Sequence, residues 1–429
     1  MQGTVNSPLK CAIQMDTLGL DMYTSDEGLF NYKELVSVPA LGMIDDVVAL
    51  SRCGVDSIIS NAIINNKMEM KRLELGPSKC VQIHVGKNVD KCTKLLAHTT
   101  HMNSVQSEMY LGDCISSDLT NNLNIKSRCN RAIGTTSQIM TILSQVSQGF
   151  HFFKIGLILR EAILISKLLL NSEVWVKLTK PQINLLEQAD LTLQRRILNC
   201  HPKTNVEIIY GELSTTPLNL IIRKRRMMYL WHILTRSESE LIKKIYRAQK
   251  VKPSRSDWIH QIEEDRTFLD IPYSDEEICA FSKKSFKQIL DRKVQQKRKV
   301  FLRSLQATKT KSGYLNFTDS PQPYITDPRF TKDQVHLLVA LRSQTFNCKE
   351  NFKWKFSDNL MCDLCYIFPC SMSHILRCSV ILQNSNVTQA DISSISLNMI
   401  YGGVEDQLTF ICTYQKLVDT RRVLQEDNI

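Results

Sequence analysis

Glycine is scarce in this chain, at 15 of 429 residues. The sequence contains no glycine-rich phosphate-binding loop and no dinucleotide-binding fingerprint, so it lacks the usual motifs of nucleotide-binding folds. No Ser/His/Asp or Cys/His set has a spacing typical of nucleophilic catalysis. The most apolar stretch, 150–175, is interrupted by charged residues, whereas a membrane-spanning helix needs about 20 largely uncharged ones. We therefore predict a buried helix in this stretch and no membrane partner.

The overall composition, 43% hydrophobic and 23% charged, is that of an ordinary globular protein. It excludes collagen-like, coiled-coil and wholly disordered chains, and the length predicts about two to four domains. A disulfide-rich secreted protein is disfavoured, because the 14 cysteines are mostly scattered and no signal peptide is recognised. A reducing compartment, the nucleus or the cytoplasm, is the expected location, and a cysteine cluster there is expected to bind a metal ion.

Helical and strand-like patterns alternate in the first hundred residues. Two apolar runs, 35–44 and 47–50, flank the pair Asp45-Asp46 and predict a β-hairpin with both acids at its tip. The further predicted elements are a helix from about Ser7 to Met22, a helix from Ile58 to Leu73, and short strands at 80–85 and 109–115. This alternation predicts a small α+β layer.

From about Leu119 to Arg236 the pattern becomes helical and predicts a bundle of four helices joined by short polar links. One of these helices begins at Thr179. Its apolar stripe, which we assign to the core, consists of Ile183, Leu186, Ala189, Leu193 and Ile197. Residues 237–330 are more polar and indicate a connector, and the last hundred residues regain apolar content.

The adjacent carboxylates of Asp45 and Asp46 are the first candidate for chemistry. Two acids in a tight turn repel each other unless a cation neutralises them, and carboxylates that hold two Mg²⁺ ions are the catalytic groups of polymerases. The pair by itself favours a solvated turn, because aspartate is common in turns. Its interpretation therefore depends on the motifs around it.

Those motifs occur in the order Gln2-Gly3, Ser7-Pro8, Met43-Ile44-Asp45-Asp46, Gly76-Pro77-Ser78-Lys79 and Tyr110-Leu111-Gly112. This order resembles the reverse transcriptase of non-LTR (LINE-type) retrotransposons. The resemblance implies that Asp45 and Asp46 are catalytic, with Asp45 binding Mg²⁺. It also implies that Gln2 and Gly3 lie beside the incoming nucleotide, that Lys79 precedes the primer grip, and that the grip consists of Tyr110, Leu111 and Gly112. The implied partners are an RNA template and a DNA primer or target.

The chain departs from this family at two points. Met43-Ile44 replaces the usual aromatic-Ala before the acids, and the family's first metal-binding Asp lies upstream of the Gln-Gly element, whereas this sequence begins at Met1. Two Mg²⁺ ions would then lack a bridging carboxylate. We therefore expect the isolated chain to transfer no nucleotides. Mg²⁺ is the expected cofactor of an intact enzyme that includes the upstream palm and fingers of a parent polyprotein.

The second candidate site is a group of three cysteines and one histidine near the C-terminus: Cys362, Cys365, His374 and Cys378. Their spacing, C-x2-C-x8-H-x3-C, places two thiols on one turn and the other two ligands one helical turn apart. Four such donors predict Zn²⁺, and Cys370 is an alternative ligand. The segment also resembles the Cys/His segment of many non-LTR retrotransposon polyproteins, which implies a small zinc domain that contacts nucleic acid.

Lysine and arginine exceed aspartate and glutamate by 54 − 43 = 11, and the excess is concentrated in two stretches. Residues 221–255 hold eleven cations and two acids, and residues 283–311 hold eleven cations and one acid. A basic stretch is often only a solvated helix face, but beside a polymerase-like palm it favours phosphate binding. The predicted nucleic-acid-binding residues are Arg223, Lys224, Arg225 and Arg226, and we expect binding of RNA or DNA to fall steeply with salt.

These features predict an α+β fold with four consecutive parts. They are a partial polymerase palm of antiparallel β-hairpins and helices at 1–117, a helical thumb-like bundle at 118–250, a basic connector with helices at 251–330, and a small C-terminal Cys/His zinc-binding domain at 331–429. The favoured function is that of a truncated retrotransposon reverse transcriptase, in its full form an RNA-directed DNA polymerase. Two alternatives stay open: a non-catalytic RNA- or DNA-binding protein that uses the basic thumb and the zinc domain, and an inert genomic remnant.

Overall fold

The computed structural model describes residues 31–426, except 39, 44–45, 71, 73–74, 86–92, 148, 203, 308–318, 353–354 and 357–358. Most of the described residues are helical, and the strands are few and short. The structure therefore agrees with the predicted α+β class in its coarse form, as a mainly helical chain with small β-hairpins. The helix predicted from Ser7 to Met22 lies outside the described residues.

The α-helices of the described residues are Gly54–Met70, Asn122–Ser144, Gly149–Leu159, Ser166–Leu168, Lys180–Ile197, Val206–Leu213, Leu218–Leu234, Leu241–Val251, Trp258–Leu269, Asp275–Ala280, Lys283–Ala307, Pro323–Thr326, Lys332–Arg342, Met372–Ile375, Ser379–Asn384, Gln389–Ser393 and Val404–Glu426. A π-helical segment, Arg160–Ile165, connects Gly149–Leu159 to Ser166–Leu168. Short 3₁₀ helices occur at Pro77–Lys79, Ser172–Val174, Lys349–Phe352 and Leu397–Tyr401. None of these described helices is both long and apolar enough to cross a membrane.

The helical region 119–236 contains more helices than the four that the sequence predicted, so that prediction was wrong in its number. Two residues with left-handed backbone mark the extra interruptions. Asn171, with φ of 54°, follows the helix that begins at Gly149, and Ser214, also with φ of 54°, follows Val206–Leu213. An L-residue in this conformation cannot continue a right-handed helix.

The strands of the described residues form two-stranded sheets. The pairs are Asn31–Tyr32 with Val36–Ser37, Ala40–Met43 with Asp46–Ala49, Val81–Gln82 with Asn103–Ser104, Leu96–Ala97 with Thr100–His101, and Ser107–Tyr110 with Asp113–Ser116. The pair of Val81–Gln82 with Asn103–Ser104 is parallel, and the other four are antiparallel. The described part of the N-terminal region is thus a set of small separate sheets rather than one wide sheet.

The hairpin predicted around Asp45-Asp46 is present in the backbone. Ala40–Met43 pairs antiparallel with Asp46–Ala49, and Met43 stands opposite Asp46. The apolar run predicted as its first strand is divided, because Val36–Ser37 pairs instead with Asn31–Tyr32. Asp46 therefore begins the second strand of a hairpin whose first strand is shorter than predicted.

The single strand predicted at 109–115 is wrong, because the chain reverses direction within it. Tyr110 stands opposite Asp113, and the two turn residues Leu111 and Gly112 have positive φ angles of 49° and 83°. Two consecutive left-handed residues match the right-handed twist of a hairpin. Gly112 suits its position for a second reason, since a β-carbon there would lie 3.2 Å from the side chain of Leu170.

The chain divides into two compact units, each assembled from separate stretches. The first unit contains the described residues up to Ser127 together with Leu170–Gln182 and Arg225–Gln288. Within it, Arg226 and Asp265 are both buried and form an ion pair through two hydrogen bonds, with Nη2 of the arginine 3.0 Å from Oδ1 of the aspartate. This pair ties two helices of the unit, Leu218–Leu234 and Trp258–Leu269, to each other.

The second unit contains Arg128–Leu169, Ile183–Lys224 and the described residues of 289–429. The helix Val206–Leu213 lies at its centre, because every residue from Glu207 to Leu213 is buried. Short helices with this degree of burial are stabilised by packing rather than by intrinsic propensity. The polar residues of this helix must then find partners inside the unit.

Arg160 and Asp190 form a completely buried ion pair in the second unit. Nε of Arg160 lies 2.7 Å from Oδ1 of Asp190, and Nη2 lies 2.6 Å from Oδ2. Gln194 donates to the same carboxylate at 2.8 Å, and its amide oxygen accepts from the hydroxyl of Thr215 at 2.6 Å. A buried charge is tolerated only when it is paired and hydrogen-bonded in this way.

The core stripe predicted from Thr179 onward is confirmed for three of its five residues, because Ile183 and Ala189 are half-buried. Thr179 precedes the helix Lys180–Ile197 and exchanges hydrogen bonds with Gln182, which is the capping-box arrangement. The stripe residues without exposed surface are Leu186, Leu193 and Ile197. The same helix also carries Asp190 and Gln194 into the core, which the apolar stripe did not reveal.

Candidate functional site

Cys362, Cys365, His374 and Cys378 come together in the second unit and form a group that could hold a metal ion. One ligand atom from each residue lies within 4.8 Å of the others. Sγ of Cys365 is 3.3 Å from Nε2 of His374. We call these four residues the metal-binding group. Their convergence is what the spacing in the sequence predicted.

A tight reversal of the backbone positions the first two cysteines. The N–H of Cys362 donates to the carbonyl of Phe368 at 2.8 Å, and the N–H of Tyr366 donates to the carbonyl of Cys362 at 3.0 Å. Met361 and Pro369 form an antiparallel bridge below the turn. Tyr366 has a left-handed backbone, with φ of 56°, which turns the chain back directly after the second thiol.

His374 and Cys378 belong to the ends of two successive short helices, not to one helix as the spacing predicted. His374 lies in Met372–Ile375, where its N–H donates to the hydroxyl of the capping residue Ser371 at 3.0 Å. Cys378 immediately precedes the helix Ser379–Asn384. The two helices still bring the imidazole and the thiol to the same point.

The donor set fits a tetrahedral metal ion. With metal–sulfur bonds of about 2.3 Å and metal–nitrogen bonds of about 2.0 Å, a tetrahedron has edges of about 3.5–3.8 Å. The distance of 3.3 Å between Sγ of Cys365 and Nε2 of His374 is close to such an edge. All four ligand atoms lie within 4.8 Å of one another, so they would need to move closer by only about 1 Å to bind one ion. Three sulfurs and one imidazole nitrogen are soft and borderline donors, not the oxygen donors that Mg²⁺ and Ca²⁺ require.

The surroundings of the group affect its protonation unequally. Burial raises the pKa of Cys378 to about 11, and the neighbouring thiols act in the same direction. The pKa of Cys365 is lowered. Burial acts to raise it, but hydrogen bonds from the backbone N–H groups of Ile367 and Phe368 and from the other thiols outweigh that effect. Burial lowers the pKa of His374, which favours the neutral imidazole that a metal ion needs.

Cys370 is buried but lies outside the metal-binding group. Its Sγ accepts a hydrogen bond from Nη2 of Arg421 at 3.4 Å, and its carbonyl accepts from the N–H of Glu350 at 3.0 Å. The alternative in which Cys370 replaces one of the four ligands is therefore disfavoured by the geometry. Cys370 thus contacts Lys349–Phe352 through its carbonyl and Val404–Glu426 through its thiol.

The predicted polymerase residues are only partly described. Gln2, Gly3 and Asp45 lie outside the described residues, and of Asp46 only the backbone is described. Lys79 is exposed at the end of the 3₁₀ helix Pro77–Lys79. The Mg²⁺ site and the nucleotide-side element therefore stay predictions.

The predicted primer grip lies in the hairpin formed by Ser107–Tyr110 and Asp113–Ser116. Leu111 and Gly112 are exposed at its turn, and Tyr110 is half-buried. The carboxylate of Asp113 accepts hydrogen bonds from the side-chain amides of Asn124, at 2.7 Å, and of Asn171. These bonds hold the hairpin at the residue that follows its turn, while the turn residues themselves are exposed.

Arg226 has a structural role, which corrects its assignment as a phosphate-binding residue. Its guanidinium is buried, pairs with both oxygens of Asp265 and donates to the carbonyl of Trp175 at 3.2 Å. These bonds use all three nitrogens, so no face of the group is available to a nucleic acid. Arg223, Lys224 and Arg225 are half-buried, and Lys224 pairs with Asp291.

Carboxylates from distant positions neutralise part of the basic stretch 221–255. The pairs in the first unit include Arg247 with Glu238, Lys250 with Asp275 and Lys252 with Glu34. By contrast, Lys244 and Arg255 are exposed and form no ion pair with a described residue. The available positive charge is therefore smaller than the sequence count suggests, but it is not zero.

The helix Lys283–Ala307 carries the second basic stretch on its solvent side. A buried residue recurs every four positions, and the series is Phe286, Leu290, Val294, Arg298 and Leu302. Arg298 donates from inside this stripe to the carbonyls of Thr215 at 2.8 Å and Tyr210 at 3.0 Å. Arg292 and Arg303 are exposed, without an ion pair to any described residue.

Two groups of residues in the structure were not predicted from the sequence. The first is the buried network of Arg160, Asp190, Glu187 and Tyr210, whose one visible signal was a charged residue inside the apolar stretch 150–175. The second is the apolar triplet Tyr366, Ile367 and Phe368, which directly follows the C-x2-C motif and is exposed. The sequence does show three apolar residues directly after the C-x2-C motif, but the overall composition does not indicate that they are exposed.

Comparison with known proteins adds no relative to this description. The chain matches no model of a protein family, and no curated protein sequence matches it. The reverse transcriptase resemblance therefore depends on the quoted motifs alone, whereas the metal-binding group has geometric support of its own.

Proposed function

We propose that this chain is a nucleic-acid-binding protein whose C-terminal part folds around Zn²⁺, and that it derives from the C-terminal half of a non-LTR retrotransposon reverse transcriptase. The observation that carries the proposal is the convergence of the four residues of the metal-binding group. Small zinc modules with cysteine and histidine ligands are recurrent elements of nucleic-acid recognition.

Zinc is the proposed metal because its preferred ligands are thiolate and imidazole in a tetrahedron. The four donors come from the chain itself and leave no open coordination position, so the ion would be structural rather than catalytic. The elements around it are short: helices of four and six residues and one β-bridge. Elements of this size bury little apolar surface, and metal binding would supply much of their folding free energy.

Exposed cations support nucleic acid as the partner. Lys244 and Arg255 in the first unit, and Arg292 and Arg303 in the second, are exposed without an ion pair to a described residue. The net charge of +11 has the same sign. Phosphate contacts of this kind release counterions and dominate affinity for nucleic acids without fixing sequence.

The test is a metal and binding measurement on the full chain. We expect one Zn²⁺ per chain by elemental analysis, and fluorescence anisotropy with labelled RNA and DNA strands should give affinities that fall steeply between about 50 and 200 mM salt. A chain that retains no zinc, or an affinity that does not change with salt, would contradict the proposal. Chelator-treated protein provides the matched control.

Nucleotidyl transfer, which we do not expect of the isolated chain, is a second candidate function, and one observation favours it. The resemblance predicts a catalytic hairpin around Asp45-Asp46, and the described backbone on either side of 44–45 forms an antiparallel hairpin in which Asp46 begins the second strand. Primer extension with Mg²⁺ on an RNA template, compared between the chain and its Asp46→Asn variant, tests this candidate. Template-dependent synthesis that the variant loses would support it, and absence of synthesis in both would leave the binding function alone.

A further inference from the structure

The loop that follows Cys365 exposes three consecutive apolar side chains. Tyr366, Ile367 and Phe368, which we call the aromatic tip, are 70%, 62% and 58% exposed. Single exposed apolar residues are ordinary on protein surfaces, but contiguous ones mark contact sites. In the described part of the chain this is the one run of three consecutive large apolar residues with exposed side chains.

The aromatic tip is attached to the metal-binding group by its backbone. The N–H groups of Ile367 and Phe368 donate to the sulfur of Cys365, and the carbonyl of Phe368 accepts from the N–H of Cys362 at 2.8 Å. A metal ion that fixes both cysteines would therefore fix the tip as well. A contact surface that is ordered before binding loses little entropy when its ligand arrives.

Both rings of the aromatic tip are accessible. The ring of Phe368 lies 5.8 Å from the imidazole of His374 at an angle of 45°, so it is supported from one side while more than half of the side chain is exposed. The hydroxyl of Tyr366 makes no hydrogen bond with a described residue, and its ring contacts no other described ring. Neither ring is thus taken up by the core.

An exposed cation, Arg377, is adjacent in the chain to a ligand of the metal-binding group. Arg377 is exposed and forms no ion pair with a described residue. It immediately precedes Cys378, as Tyr366 immediately follows Cys365, and the sulfurs of those two cysteines lie within 4.8 Å of each other. The guanidinium and the rings are therefore anchored to the same metal-binding group.

We propose that the two rings of the aromatic tip, those of Tyr366 and Phe368, stack against unpaired bases of a single-stranded nucleic acid while Arg377 contacts a neighbouring phosphate. This inference rests on the proposed nucleic-acid-binding function and names its substrate class. Two planar rings separated by one residue, together with a guanidinium attached to the same metal-binding group, match the alternation of planar bases and phosphates along a strand. A duplex covers the faces of its bases by stacking, so the tip has no access to them.

The experiment uses the full chain loaded with Zn²⁺, a labelled oligothymidine strand, and a DNA duplex of equal length. We expect the double variant Tyr366→Ala/Phe368→Ala to bind the strand at least about tenfold more weakly and the duplex as before. The control Ile367→Ala should change strand affinity by less than about threefold, and Tyr366→Phe should behave as wild type. Elemental analysis verifies that each variant retains its zinc.

Salt dependence separates the two kinds of contact. Because stacking releases no counterions, the double variant should keep the salt slope of the wild type, whereas Arg377→Gln should lower the slope by about one. If the wild type binds strands in a salt-dependent manner and the double variant binds them equally well, the stacking inference is overturned while the proposed function stands. If the wild type binds neither strand nor duplex, both fail.

The main alternative is that the exposed Tyr-Ile-Phe loop binds to a lipid membrane surface. Sedimentation with vesicles of phosphatidylcholine and phosphatidylserine tests it on the same variants. We expect no difference in vesicle binding between the wild type and Tyr366→Ala/Phe368→Ala. Loss of vesicle binding in the double variant, with strand affinity unchanged, would overturn the stacking inference in favour of membrane contact.

Discussion

Sγ of Cys365 lies 3.3 Å from Nε2 of His374, although nine positions separate the two residues in the chain. Two further thiols approach both atoms to within 4.8 Å. Thiolates at this separation repel each other unless a cation lies between them. The group could therefore hold a metal ion, and we expect removal of such an ion to loosen the segment that carries the aromatic tip.

Substitution of a single ligand should abolish metal binding. We expect Cys365→Ser to lower the zinc content from about one ion per chain to near zero and to make the C-terminal part sensitive to proteases, because three donors do not close a structural site. Cys412→Ser, at an exposed cysteine outside the group, is the matched control and should retain the ion. Full zinc content in Cys365→Ser would exclude this thiol as a ligand.

Cys370 should prove dispensable for the metal. The structure gives its sulfur a hydrogen bond from Arg421 instead of a place among the four ligands. We therefore expect Cys370→Ser to retain the zinc ion, with a stability loss of about 1 kcal/mol from the altered buried hydrogen bond. Elemental analysis after extensive dialysis checks this, and zinc loss comparable to that of Cys365→Ser would reverse the assignment.

The buried ion pair of Arg160 and Asp190 should dominate the stability of the second unit. Replacement of one partner, as in Arg160→Met, leaves the other charge buried without compensation and should lower the free energy of unfolding by about 3–5 kcal/mol. The double variant Arg160→Met/Asp190→Leu should lose less than the sum of the two single variants. Urea denaturation followed by circular dichroism measures all three, and additive losses would argue against the pairing.

The carboxyl group of Glu187 should make stability depend on pH. Burial raises its pKa to about 7, although the hydroxyl of Tyr210 and the N–H of Asn219 donate to it and act in the opposite direction. An acid with a raised pKa in the folded state stabilises it at low pH, and that contribution is lost as the pH rises from about 4.5 to 7. The loss is up to about 3 kcal/mol, at 1.36 kcal/mol per pH unit.

The comparison that isolates this effect is between the wild type and Glu187→Gln. We expect the unfolding free energy of the variant to change less between pH 4.5 and pH 7 than that of the wild type, because glutamine does not titrate. Urea denaturation at several pH values within this window provides the measurement. Parallel curves for the two proteins would show that Glu187 ionises with an ordinary pKa.

Arginines from the same basic stretch should behave differently when replaced. Arg226→Gln breaks the buried pair with Asp265 and should destabilise the first unit by about 3–5 kcal/mol, while the salt slope of nucleic-acid binding by the folded protein stays unchanged. Arg255→Gln, at an exposed position, should leave stability within about 0.5 kcal/mol and lower the salt slope by about one. Thermal unfolding and anisotropy titrations distinguish the two, and a lower slope in Arg226→Gln would contradict the burial of this residue.

The structural elements that depend on neighbouring residues in the chain could be predicted from the sequence. The spacing of Cys362 and Cys365 predicted a thiol turn, and the alternation around Asp45-Asp46 predicted a hairpin whose backbone is confirmed for the residues on either side of 44–45. The reversal at Leu111-Gly112 was misassigned as a strand, because two left-handed residues interrupt an apolar pattern without changing its composition. The number of helices between 119 and 236 was underestimated for the same reason.

Composition did not predict which charged side chains form ion pairs and which are exposed to solvent. Arg223, Lys224, Arg225 and Arg226 are adjacent in the sequence, yet the last of them is buried against Asp265, which lies 39 positions away. Lys252 likewise finds Glu34 at a separation of 218 positions. Counting charges locally cannot detect such partners, because ion pairs form wherever the folded chain brings opposite charges within a few ångströms.

By itself, the sequence determined the helical character of the region 119–236, the helix after Thr179 and the set of four metal ligands, because each of these depends on a pattern of residues close together in the chain. The tertiary structure decided that Arg160 and Arg226 serve the core, that Cys370 stands apart from the ligands, and that Tyr366 and Phe368 face solvent. These outcomes follow from burial and from contacts between distant segments. Because desolvation and pairing energies exist only once the chain is folded, no local pattern could have fixed them.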